Sequence, residues 1–303
     1  MPSIVERLPS GARVLVVRLR SLGDCVLTTP ALHLLHAHRP DLKIGVMVED
    51  RFAQIFEGNP AVAEILPPSK RAAFGFRPAL AVNFHGGSRS ALFTSVSLAR
   101  WRAGFGHYRQ RWVYNLSIPR AQEILGVERT VHTAEHLASA MFYLGVPPTE
   151  IPRARLFADK RAAAAYVVIH PLASAEAKAW PAGRFLAIAR WLRDERGLGP
   201  VVIGGPGEDL SIFAEFERMA GAALREVKSL MSGAALFVGN DSGPAHMAAA
   251  FGVPVVALYG SSDPGIWAPW RTRSEVVSAP KGLDTVEVER VRRAVERVMG
   301  DLR

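Results

Sequence analysis

The chain has a single cysteine, Cys25, in 303 residues. No internal disulfide is possible, and such usage suits a reducing compartment. No apolar stretch is long enough to span a bilayer, and no secretory signal is visible. Helix-turn-helix, RNA-recognition and zinc-finger patterns are absent, which ranks nucleic acid last among partners. His33, His36 and His38 crowd one segment, but their spacings of three and two lack the i, i+4 pairing of a helical metal site. The glycine turn Gly204-Gly205-Pro206-Gly207-Glu208 lacks a complete dinucleotide fingerprint, since the pattern counted from Gly205 ends on Leu210; this disfavours an NAD dehydrogenase. The remaining absence is of acid: residues 65–122 hold nine Lys/Arg and no Asp or Glu. The net charge of +9 is uneven, with 18 Lys/Arg against 11 Asp/Glu (+7) in residues 1–153 and 19 against 17 (+2) in 154–303. An anionic partner is expected for the first half: a phosphorylated lipid, a membrane surface or nucleic acid.

An apolar content of 49% supports full cores, and this length fits two domains. Arg13–Leu19 reads as a buried strand, and the turn Arg20-Ser21-Leu22-Gly23-Asp24 follows it. A helix is expected to open at Thr28-Thr29-Pro30 and run to about His38. Open α/β sheets bind ligands beyond the carboxyl ends of their strands, so Asp24 stands where a base would stand, or a helix cap. Cys25, beside Val26-Leu27, reads as a packed thiol rather than a nucleophile. Leu80–Phe84 forms another strand, ending in His85-Gly86-Gly87-Ser88-Arg89. Trp101–Trp112 interleaves arginines with aromatics, which suits nucleic-acid stacking, a wall for a phosphorylated glycolipid, or a solvated face over a core.

After a linker at 151–159, a second strand-and-helix series begins at Ala165–Ile169. Its loop carries Lys178 and Trp180, and its glycine turn ends on Glu208. Leu236–Tyr259 reads as strand, turn, helix, turn, strand, with Asp241 or Ser242 as helix cap and Pro244 in the first turn. Free N–H groups and the helix dipole there favour an anion. Residues 284–303 read as an amphipathic helix, with Asp284 and Glu287 as a capping pair.

Three stretches in order, Val14–Leu32, His170–Leu192 and Phe237–Gly260, resemble the ADP-heptose:lipopolysaccharide heptosyltransferases of glycosyltransferase family 9. The resemblance implies an α/β fold of GT-B architecture, with two Rossmann-like doubly wound parallel-sheet domains facing a central cleft. It implies an acceptor-binding domain at 1–153, a donor-binding domain at 154–283, and a C-terminal helix at 284–303 packing back towards the first. It also implies inverting transfer of heptose from ADP-heptose to a lipopolysaccharide inner-core acceptor without metal or other cofactor, in the cytoplasm at the inner face of the membrane. By the same resemblance Asp24 is the general base and Lys178 meets donor phosphate. Ser174, Glu208, Asp241, Ser242, Gly243 and His246 belong to the donor side; Ser21, Arg89 and Arg109 belong to the acceptor side. A related enzyme using another nucleotide sugar, or a non-catalytic sugar-binding protein of this fold, stays open at this point.

Overall fold

A computed structural model describes residues 3–161, 165–173 and 179–300. The chain divides into two compact units, 1–157 and 158–303, four residues beyond the expected boundary. The shift has a physical reason: Ile151, Ala154 and Leu156 of the expected linker are buried, and the Arg155 amide donates to Thr29 Oγ1 at 3.0 Å, so this segment packs on the first unit.

The first unit contains β1 (Arg13–Val17), α1 (Leu22–His38), β2 (Lys43–Met47), α2 (Asp50–Ala53), β3 (Glu64–Leu66), α3 (Lys70–Phe76), β4 (Leu80–Asn83), α4 (Ser88–Val96), β5 (Trp101–Phe105), β6 (Leu116–Ile118), α5 (Ala121–Leu125) and α6 (Thr133–Leu144). The second contains β7 (Tyr166–His170), α7 (Ala182–Arg196), β8 (Gly199–Gly204), β9 (Glu217–Ala220), α8 (Leu224–Ser232), β10 (Leu236–Asn240), α9 (Gly243–Phe251), β11 (Val255–Tyr259), α10 (Pro264–Trp267), β12 (Ser274–Ser278) and α11 (Val288–Met299).

The sheets run β3-β2-β1-β4-β5-β6 and β12-β11-β10-β7-β8-β9, and every strand pair is parallel. Counted from the first strand of its own unit, the second sheet has the same order as the first. Both are doubly wound, and each reverses its winding between its first and fourth strands, β1/β4 and β7/β10. Ligands bind such sheets at the carboxyl side of that point. The central strands are mostly apolar because helices cover both faces, with a buried polar residue closing β4, β7 and β10. In the second unit Val167, Ile169, Val238, Val256 and Leu258 meet Phe185, Ile188 and Leu192 of α7. Residues 284–303 contribute α11 to this same core through Val291, Ala294, Val295 and Val298, at the 3–4–7 spacing of one helical stripe. Each buried valine contributes about 1.5–3 kcal/mol, so Val295→Asp would detach the helix.

Two local expectations are corrected. First, α1 opens at Leu22 with Ser21 as N-cap, and Pro30 lies inside it. An interior proline leaves the carbonyl four residues earlier without its N–H donor. Here that carbonyl, Val26 O, accepts from the Thr29 hydroxyl at 2.8 Å, so the helix continues. Secondly, Glu287 is the N-cap of α11 without a side-chain cap bond, and Asp284 lies in a preceding 3-10 turn, so the expected Asp284–Glu287 capping pair does not form.

Candidate active site

The corrected start of α1 places Asp24 in the helix's first turn rather than in a loop. Asp24 reaches back as the acid of a capping box: its Oδ2 accepts from the Ser21 hydroxyl at 3.0 Å and from the Ser21 amide at 3.5 Å. Its Oδ1 lies 3.3 Å from Nη1 of Arg18, the residue that follows β1. Arg18 is 5% exposed, whereas the Asp24 side chain keeps 23% of its surface open to solvent. The carboxylate is thus fixed by one partner on each oxygen yet remains accessible. Ser21 therefore lies directly beside Asp24. Cys25, next in α1, is fully buried, and burial pushes its thiol up to about 12, which leaves no nucleophilic thiolate.

Across the winding reversal, β4 ends on Asn83, which has no exposed surface. Its Oδ1 accepts from the amides of His85 (2.9 Å) and Gly86 (3.2 Å). Its Nδ2 donates to Ser90 Oγ (3.0 Å) and to the Tyr114 hydroxyl (2.7 Å). Asn83 therefore ties the turn to α4 and to the segment beyond β5. Gly86 has φ +76°, and a Cβ there would come within 2.5 Å of the Tyr108 ring, so only glycine fits. Burial, then the charges of Arg18 and Arg20, hold His85 below its ordinary value, while Asp24 acts the other way. Arg89 sits in the first turn of α4, pairs with Glu49 at 3.2 Å and is more than half exposed. Arg109 is exposed in the segment after β5.

The second unit repeats this plan. β7 ends on His170 and β10 on the fully buried Asn240. Asn240 Nδ2 donates to the carbonyls of Pro171 (2.9 Å) and Leu172 (3.4 Å), and its Oδ1 accepts from the Trp180 amide at 3.0 Å. One side chain thus holds both described ends of the segment 171–180. Trp180 is buried beyond it, its indole donating to Val286 O at 2.8 Å. Ser174 and Lys178, in the same segment, lie outside the described residues.

Ser242 is the N-cap of α9, but its side chain does not cap the helix. Its hydroxyl instead shares a hydrogen bond with His170 Nδ1 at 3.1 Å, joining the two strands that flank the winding reversal. Burial lowers His170 to about 4, so the ring is neutral near pH 7. Gly243 opens the helix and Pro244 follows; with no side-chain cap bond at Ser242, the positive end of the helix dipole lies at the carboxyl end of the sheet. The Asp241 carboxylate lies beside the Tyr259 hydroxyl; burial, then this charge, raises that hydroxyl, which donates to Trp267 O at 2.6 Å. His246 is buried in the next turn of α9. Glu208 folds back onto the Gly205 amide and lines a shallow recess with Asp209, Phe216 and Arg218, beyond β8 and β9. Among the described residues no group of three or more His, Cys, Asp and Glu is placed to hold a metal ion.

Arg18, His170, Asn83 and Asn240 do not follow from motif reading alone. The available signal was a polar residue closing an apolar strand, since a charge or amide there needs a buried partner.

Residues 79–294 match the family model for glycosyltransferase family 9 (heptosyltransferase). Lipopolysaccharide heptosyltransferase 3 of Escherichia coli K12 is 27% identical over 93% of this chain and 96% of its own. The family 9 glycosyl transferase of Veillonella parvula DSM 2008 superposes with a TM-score of 0.84 at 22% identity, covering 96% of this chain and 97% of the other. E. coli heptosyltransferase WaaC, solved with ADP-2-deoxy-2-fluoro heptose, gives 0.75 at 22% identity, covering 94% and 99%. The folds agree over whole chains and the family model spans more than half of this one: the protein is an enzyme of glycosyltransferase family 9, the heptosyltransferases.

Proposed function

We propose that this enzyme transfers a heptose, with inversion, from ADP-heptose to a lipopolysaccharide inner-core acceptor. The observation that carries the reading is Asp24, an accessible carboxylate held between Arg18 and Ser21 at the ligand end of a family 9 fold. In this reading an acceptor hydroxyl oxygen bonds to the anomeric carbon of the heptose as the bond from that carbon to the β-phosphate oxygen breaks. The hydroxyl proton passes to Asp24, and the electron pair leaves with ADP. A positioned base contributes about 10²–10⁴-fold. Charge gathering on the leaving ADP is met by Lys178, two residues before the anchored Trp180, and by the uncapped start of α9 at Ser242-Gly243. Ser174, Glu208, Asp241 and His246 are assigned to the donor side, and Ser21, Arg89 and Arg109 to the acceptor side. The proposed reaction uses no metal, since these groups carry the leaving-group charge.

Support for the donor comes from the relative solved with an ADP-heptose analogue. Support for a phosphorylated glycolipid acceptor comes from the acid-free run 65–122, whose charge complements phosphate and carboxylate. No described helix is long and apolar enough to cross a membrane. We place the enzyme in the cytoplasm, peripherally on the inner face of the cytoplasmic membrane. Calorimetric titration with ADP, UDP and NADH tests the donor assignment. Selective ADP binding that weakens in Lys178→Ala is expected; preference for UDP would redirect the reading to another nucleotide sugar.

A further inference from the structure

Six large apolar side chains among the described residues are exposed, and four of them, Phe74, Leu92, Leu98 and Trp112, fall in the run 65–122 that has no acid. Trp112 is 80% exposed and Leu98 70%. The fold gathers the elements that carry them. Phe93 and Val96 of α4 pack in one cluster with Ala72, Ala73 and Phe76 of α3, which sets these helices side by side on one face of the first sheet. The 3-10 turn Arg111–Val113 packs on α4 through Val113 and Ala91, and Gln110 Nε2 donates to Ser88 Oγ at 2.9 Å. Phe74 and Leu92 lie on the outer sides of α3 and α4, Leu98 follows the end of α4, and Trp112 stands beside its start. Lys70, Arg71 and Arg111 of these elements, Arg77 just after α3 and Arg100 between α4 and β5 are all exposed.

Leu98 adds an observation independent of charge. Its φ is +52°, in the left-handed region that favours glycine or asparagine. A leucine at such a position, with its side chain in water, serves neither the local backbone nor the core.

We propose that the outer surface of α3, α4 and the Arg111–Val113 turn docks on the surface of an anionic lipid bilayer. Trp112, Leu98, Leu92 and Phe74 enter the interface, and the surrounding Lys and Arg pair with lipid phosphates. Aromatic and aliphatic side chains inserting at headgroup depth, with basic residues around them, are the chemistry of peripheral attachment. The surface runs along α4 to its first turn, just beyond the His85-Gly86 turn near Asp24, so docking holds the candidate acceptor site close to the plane where a lipid-anchored sugar emerges. The proposal rests on the glycolipid acceptor reading above.

The test is co-sedimentation of the full chain with vesicles of phosphatidylglycerol and phosphatidylcholine in equal parts, against phosphatidylcholine alone. Wild type is expected to bind the anionic vesicles preferentially, and less so as salt rises. Trp112→Ser should weaken that binding about tenfold. Leu98→Asn should weaken it by a factor of about five while melting at or above the wild-type temperature, because asparagine tolerates the left-handed backbone. A purely structural role for Leu98 would instead lower the melting temperature. Equal binding to both vesicle types, or unchanged binding in both variants, overturns the proposal. So does an oligonucleotide that binds more tightly than the vesicles and loses affinity in Trp112→Ser. Transfer from ADP-heptose to an inner-core acceptor lacking its lipid anchor separates the two readings. If wild type and both variants transfer alike but bind vesicles alike, the surface assignment falls and the activity stands. If vesicle binding behaves as expected but wild type shows no transfer, the activity reading falls instead.

Discussion

Replacing Asp24 by Asn keeps the shape of the side chain and its bond from Ser21, but removes both the proton acceptor and the charge facing Arg18. Two consequences follow, of different kinds. The loss of a positioned base should lower kcat by about 10²–10⁴-fold, with the Kd for ADP unchanged. The loss of the carboxylate also leaves the Arg18 guanidinium, 5% exposed, without its ion-pair partner. Breaking a fully buried pair costs about 3–5 kcal/mol and an exposed one about 0–1. Asp24 is 23% exposed, so the cost lies between, about 1–3 kcal/mol, or roughly a 5 °C fall in Tm for a unit of this size. The second variant, Arg18→Met with Asp24→Asn, removes the stranded charge. It should recover most of the stability without recovering turnover, which separates the chemical role from the structural one. Calorimetry for ADP, thermal melting and transfer from ADP-heptose would be measured on wild type and both variants. If the double variant regains turnover as it regains stability, or if Asp24→Asn alone stays within tenfold of wild-type kcat, Asp24 is a helix-capping and pairing residue and not the base.

Three further outcomes are expected. Asn240→Leu leaves the Trp180 amide and the Pro171 carbonyl without their partner; it should cost about 2–3 kcal/mol in a urea melt and weaken ADP binding, whereas unchanged ADP affinity would dissociate Asn240 from the donor site. His170 and His136 are both held at about 4 by burial, the nearby His107 adding to the effect at His136, against about 6.5 in the unfolded chain. The unfolded state therefore takes up protons first, so stability is full above pH 6.5 and falls as pH drops towards 4. At pH 5 the loss is about 2 kcal/mol for each histidine, checked by urea melts at pH 7.5 and 5, and His170→Gln should remove its share of the slope. Cys25, buried and with its thiol raised to about 12, should resist iodoacetamide in the native protein and react only on unfolding; rapid native alkylation that abolishes turnover would show the helix start to be open.

The amino-acid sequence alone determined the α/β class and the two successive series of strands and helices, because long apolar runs bounded by glycine turns report burial directly. It also placed Ser21, Asp24, Asp241, Ser242 and Gly243 at strand ends, and the ordered motifs carried the family. Tertiary structure decided what those residues touch. Pro30 reads locally as a helix start; only the Thr29 hydroxyl on Val26 O shows how α1 passes through it and makes Asp24 a first-turn acid. Arg18 reads as one more residue of a strand, since its ion pair depends on the turn that follows. Ser242 reads as a helix cap, yet its hydroxyl bonds to His170, 72 residues away. Asn83 and Asn240 read as ordinary strand ends, although each organises the segment at the carboxyl end of the sheet in its own unit. The physical reason is common to all four. Hydrophobic periodicity records how deeply a residue is buried, whereas a buried polar group is defined by its partner. Crossovers of the parallel sheets bring that partner from 31 residues away for Asn83 (Tyr114), 60 for Asn240 (Trp180) and 72 for Ser242 (His170), while Arg18 meets Asp24 through the turn between them; in each case the partner becomes visible only once the chain is folded.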